Sequence, residues 1–125
     1  MIIRIASAVL TLTGLLALLS GGLFWMNLAS NLMSLHMLLG FLAVAALWTI
    51  GIAQAIAKGG SWVIAACALL LGAVTIMLGL YQSSLMVGPL HWIIEISHLI
   101  LGILTVGLGH MGAARYRRGS LIANN

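Results

Sequence analysis

The sequence predicts an all-α polytopic membrane protein, a single-domain bundle of four transmembrane helices. Composition is the first reason. Apolar residues make up 63% of the 125-residue chain and charged residues only 5%, with a mean hydropathy of +1.24. Soluble domains carry roughly 25% charged residues. The second reason is length. Four apolar runs, about 5–25, 32–57, 62–81 and 90–114, each reach the ~20 residues that cross ~30 Å of hydrocarbon at 1.5 Å per residue. The third is the short polar breaks between the runs, which leave little chain for a water-soluble catalytic domain.

The first run starts with Arg4 and has small residues at Ser20-Gly21-Gly22, a pattern that a signal peptide also shows. Its apolar character continues through Leu23-Phe24-Trp25-Met26, so a retained first helix is the expectation. The break from Asn27 to Ser34, with two Asn and two Ser, opens the second run, and Lys58-Gly59-Gly60-Ser61 closes it. The third run contains Cys67, the only cysteine, which cannot form an intrachain disulfide. It reads as a small buried apolar residue. Gln82-Ser83-Ser84 leads through Gly88-Pro89 to the fourth run, and a proline suits the first turn of a helix. The segment 115–125, beginning Arg115-Tyr116-Arg117-Arg118, reads as a short tail leaving the membrane.

The two halves of the chain are alike. His36-Met37-Leu38-Leu39-Gly40-Phe41-Leu42 parallels His98-Leu99-Ile100-Leu101-Gly102-Ile103-Leu104, and Gly14 and Gly21 have the spacing of Gly72 and Gly79. The pattern suggests a duplicated helical hairpin.

The formal net charge of +4 comes from Arg4, Lys58, Arg115, Arg117 and Arg118 against Glu95. These cations are scattered at helix ends, where they act as topology signals, so nucleic acid is rejected as a partner. Four spans put all five on one side. The positive-inside rule makes that side cytoplasmic, with both termini inside, in a bacterial-type inner or plasma membrane. Trp25, Trp62, Tyr81 and Trp92 lie near span ends, as in an aromatic belt. The seven methionines are scattered and read as lipid-facing or packing residues.

The candidate site is an ionisable cluster within the spans: His36, His91, Glu95 and His98. Such groups are expensive at bilayer depth and usually mark function. Counted back from the basic helix ends, the three histidines fall in the outer half of the membrane, with His91 nearest the surface. His91 and His98 share a helix face about 10 Å apart along the axis, and Glu95 lies on that face between them. His36 meets the face if spans two and four are neighbours. His110 lies nearer the other end and reads as interfacial.

Several cofactors fit this set. A bis-histidine haem b needs one imidazole from each of two helices at similar depth, which His36 with His91 or His98 provides. Gly40 and Gly102, each four residues after a histidine, would leave room for the porphyrin; Gly14, Gly21, Gly72 and Gly79 serve either that purpose or close helix packing. A transition metal is the second reading. Glu95-Ile96-Ser97-His98 is a Glu-x-x-His pair of the kind used in bundle metal sites, and His36 and His91 would add nitrogens. A quinone is the third, held by Glu95 with a histidine, where Glu95 would handle protons. A chlorophyll-type pigment is the fourth, needing one axial histidine. From other classes come a structural subunit pinned by a Glu–His pair and a small cation exporter. The exporter is disfavoured because its glutamate typically lies in the first span.

The helix count, the His-x3-Gly pieces at His36 and His98, and the inward histidines on two helices resemble the four-helix membrane cytochromes b, the broad cytochrome b561-like group. The resemblance implies haem b, electron transfer to or from quinone or a partner protein, and work as a redox subunit of a larger membrane complex. The di-haem members of that group use two histidine pairs. Here His110 has no histidine partner, and the outer loops lack Lys or Arg for haem propionates, so one haem is the expectation.

Overall fold

The computed structural model describes residues 1–123. Helix α1 spans Ile2–Trp25, α2 Met33–Ile56, α3 Trp62–Tyr81 and α4 His91–Ala123, with short 3-10 turns at Ser30–Leu32 and Gln82–Ser84. All four helices are long and apolar enough to cross a membrane, and the protein is an all-α four-helix bundle. Large apolar side chains cover its outer surface, as a lipid-facing bundle requires.

The helices form a diamond. Helices α2 and α4 face each other across its short diagonal and each touches α1 and α3, whereas α1 and α3 scarcely meet. Small residues set the spacing. Ala43, Ala46, Ala68 and Ala113 are buried with Leu10, Leu47 and Ile50, and Ile3 and Ala6 extend this core to the end of the bundle near Arg4. Without a hydrophobic drive between helices in lipid, close backbone approach through small residues supplies the packing energy. Gly51 is one such point, since a Cβ there would stand 2.9 Å from the Ala68 Cβ.

The two hairpins correspond residue by residue. Gly14 of α1 packs on Val106 of α4, and Gly72 of α3 packs on Val44 and Trp48 of α2. Gly21 lies against His36, and Gly79 against His98. Trp48 Nε1 donates to the Ala68 carbonyl at 3.2 Å, joining α2 to α3. His110, its counterpart on α4, joins α4 to Thr11 of α1, with 3.1 Å between Nε2 and Oγ1. The Thr11 hydroxyl already donates to the Ser7 carbonyl, so His110 is the donor.

The α2–α3 turn is tight. Gly60 runs so close to the Gln54 and Ala55 carbonyls that a side chain has no room, and Gly59 adopts φ +74°. Gln54 is fully buried and its Nε2 donates to the Ser61 carbonyl at 2.7 Å, clipping the turn to the end of α2.

One expectation needs correction. Cys67 is exposed, because Ala65 and Ala68 take the inward positions of α3. Helix α4 runs on past the expected end of the span to Ala123, and Arg115, Arg117 and Arg118 are good helix formers. All seven methionines are exposed, as a lipid-facing role requires.

Candidate functional site

The site lies at the end of the bundle opposite Lys58, between α2 and α4. The imidazoles of His36 and His98 approach to 6.2 Å between ring centres, with their planes tilted by 55°. They meet because α2 and α4 are neighbours across the short diagonal and both histidines fall on inward faces. Phe24 of α1 closes one side, edge-on to His36 at 5.3 Å.

Hydrogen bonding assigns the tautomer of His36. Its Nδ1 lies 3.0 Å from the Ser20 Oγ. The Ser20 hydroxyl has one hydrogen, which it donates to the carbonyls of Leu16 and Ala17 at 2.9 and 3.0 Å. It is left to accept, so Nδ1–H of His36 donates to it. The Nε2 lone pair of His36 is thereby free. A metal-ligating histidine is held in the same way, one ring nitrogen anchored and the other presented.

His98 is less satisfied. Its Nδ1 is buried without a hydrogen-bond partner. Leaving such a group unpaired costs about 1–3 kcal/mol. Gly79 makes room for the ring: a Cβ there would stand 2.9 Å from His98 Cε1. Gly21 does the same for His36, at 3.4 Å from Cε1. Gly40 and Gly102 face open space, with nothing within 4 Å of a Cβ placed on either.

The other candidates stand apart. His91 begins α4, and its Nδ1–H donates to the Leu85 carbonyl at 3.1 Å, holding the preceding loop. Glu95 is half-buried one turn outward of His98 and makes no ion pair or hydrogen bond among the described residues. Among those residues no three His, Cys, Asp or Glu side chains gather as a metal-holding group. The geometry is a pair of imidazoles rather than a four-group cluster.

Sequence reasoning missed two members of the site. Ser20 resembled a cleavage-site residue, and Phe24 was read only as part of the apolar continuation of the first run. The signal for Ser20 was its position beside Gly21, since a polar residue next to a small one inside a span often faces a neighbouring helix.

Comparison with family models, with characterised proteins and with solved structures finds no match to this chain.

Proposed function

We propose that this protein is a membrane electron-transfer subunit holding one haem b between His36 and His98. The observation that carries the reading is the pair itself. An imidazole ligated at about 2 Å has its ring centre roughly 3 Å from the metal, so two opposed ligands stand roughly 6 Å apart. The ring centres here are 6.2 Å apart. The free Nε2 of His36, the orphaned Nδ1 of His98 and the open ground beside Gly40 and Gly102 support the same reading.

A bound haem would supply one-electron chemistry. The rest falls to the chain. Ser20 fixes the His36 ring through Nδ1 and leaves Nε2 free to coordinate. Gly21 and Gly79 let both rings lie against the helix backbones. Phe24 covers His36. Glu95, one turn toward the outer surface, is placed to give or take a proton from a quinone whose oxygen reaches that depth. Electrons would pass to quinone or to other subunits of a complex. The basic ends at Arg4, Lys58 and Arg115 orient both termini to the cytoplasm of a bacterial-type inner or plasma membrane. A non-haem metal would need ligands beyond this pair, and a chlorophyll-type pigment would use only one of the two histidines.

The test is an absorption spectrum of detergent-purified protein, oxidised and then dithionite-reduced. A Soret band with an α-band that sharpens on reduction is expected, lost in His36→Ala and His98→Ala and kept in His91→Ala. A featureless spectrum that haemin does not change, or a His36→Ala protein with full haem content, would overturn the assignment. Far-red bands would indicate a chlorophyll-type pigment instead.

A further inference from the structure

At the end of the bundle away from the histidines, a groove of about 660 Å³ opens between the start of α3 and the last turns of α4. Lys58, Arg115 and Arg118 line it. The Arg115 guanidinium reaches only the Gly59 carbonyl, at 3.4 Å. Among the described residues no carboxylate neutralises these cations. The single acidic side chain, Glu95, is on the same helix 20 residues before Arg115, roughly 30 Å away. Three cations gathered around one cavity with no counter-ion among the described residues call for an external anion.

The floor of the groove shows what kind of anion. It is apolar, and its Met111 also lines a second groove of about 440 Å³ that runs along the α3–α4 seam past Leu71, Gly107 and Ile103. Gly107 forms a notch, with nothing within 4 Å of a Cβ placed there. From Arg115 to Ile103 is roughly 18 Å along the helix, the scale of an acyl chain. A cationic mouth continuous with an apolar channel of that length has the polarity pattern of a phospholipid. Basic pockets between helices on the positively charged side of a membrane protein bind anionic head groups in this way.

We propose that the α3–α4 seam is a binding site for one anionic phospholipid, its phosphate held by Lys58, Arg115 and Arg118 and one acyl chain lying along the seam over Gly107. The lipid covers the two helices that the bundle encloses least and supplies a negative charge that no described residue lends there.

Native mass spectrometry of the intact detergent-solubilised protein tests this, with titration by phosphatidylglycerol, phosphatidylcholine and inorganic phosphate. One phosphatidylglycerol should bind in clear preference to phosphatidylcholine. Lys58→Gln and Arg118→Gln should each weaken it about five-fold, the loss expected for one cation near an anionic lipid. Gly107→Leu should weaken it with all charges intact. Arg4→Gln removes the same charge outside the groove and should leave binding unchanged. Equal binding of both lipids, or a loss in Arg4→Gln matching that in Arg118→Gln, would reduce the site to diffuse charge and overturn the proposal. Displacement of the lipid by inorganic phosphate would mark a soluble-anion site and overturn it equally.

Discussion

The two ends of this bundle are built on opposite plans. Toward Lys58, Ala43, Ala46, Ala68, Gly51 and Ala113 let the helices interlock around Leu10, Leu47 and Ile50. Toward the histidines, Ser20 is the only buried residue on α1 beyond Thr13, and on α4 none precedes Thr105. There lie two imidazoles, a buried nitrogen without a partner, and Gly40 and Gly102 facing open space. One end has its stability from packing. The other forgoes packing and retains polar groups that lipid cannot satisfy.

The largest break in that contrast should come from exchanging a glycine at each end for leucine. Gly51→Leu drives a side chain into the Ala68 Cβ and toward the Ala65 backbone, neither of which can yield. It should cost about 3 kcal/mol. Gly102→Leu meets open space and should shift stability by no more than ~0.5 kcal/mol, yet it should lower haem retention if the porphyrin lies beside α4. Thermal unfolding in detergent followed by helical circular dichroism reads the first effect, and the Soret absorbance reads the second. Equal destabilisation at the two positions would show that both ends are packed alike.

A smaller effect of the same kind is expected at Gln54. Gln54→Ala removes the donor to the Ser61 carbonyl and empties a fully buried site at the packed end. About 2 kcal/mol of stability should be lost, with cofactor content unchanged because the histidine pair lies at the far end. A matching loss of haem would mean that the two ends fold and bind as one unit.

Much of this was legible in the sequence because lipid enforces it. A span must be long, apolar and helical, so the apolar run at about 62–81 marks the place of α3. The extent of α4 was not, because leaving the membrane and ending a helix are different events and only the first has a compositional mark. The hairpin repeat was visible as His36 with His98 and Gly14, Gly21 with Gly72, Gly79. What those glycines do was not: Gly14 and Gly72 receive a neighbouring helix, whereas Gly21 and Gly79 receive an imidazole. Periodicity placed His91, Glu95 and His98 on one face but says nothing of what lies opposite each turn. His36 stands opposite His98, and His91 is held by the Leu85 carbonyl in the loop.

A smaller loss of stability than at Gly51 or Gln54 should follow at Ser20, and there the difference between the two ends becomes sharpest. Ser20→Ala removes a neutral hydrogen bond at the open end, worth about 1 kcal/mol, so the melting temperature should fall by only a few degrees. The ring of His36 then loses the acceptor that holds the proton on Nδ1 and leaves Nε2 with its lone pair. Loss of such an outer partner typically weakens a metal site ~10- to 100-fold, so haem affinity should fall by that order while the fold is intact. Haemin titration of the purified variant measures it. If Ser20→Ala binds haem as tightly as the parent, Ser20 anchors helix α1 to α2 and nothing more, and the open end owes its polarity to helix pairing rather than to a ligand.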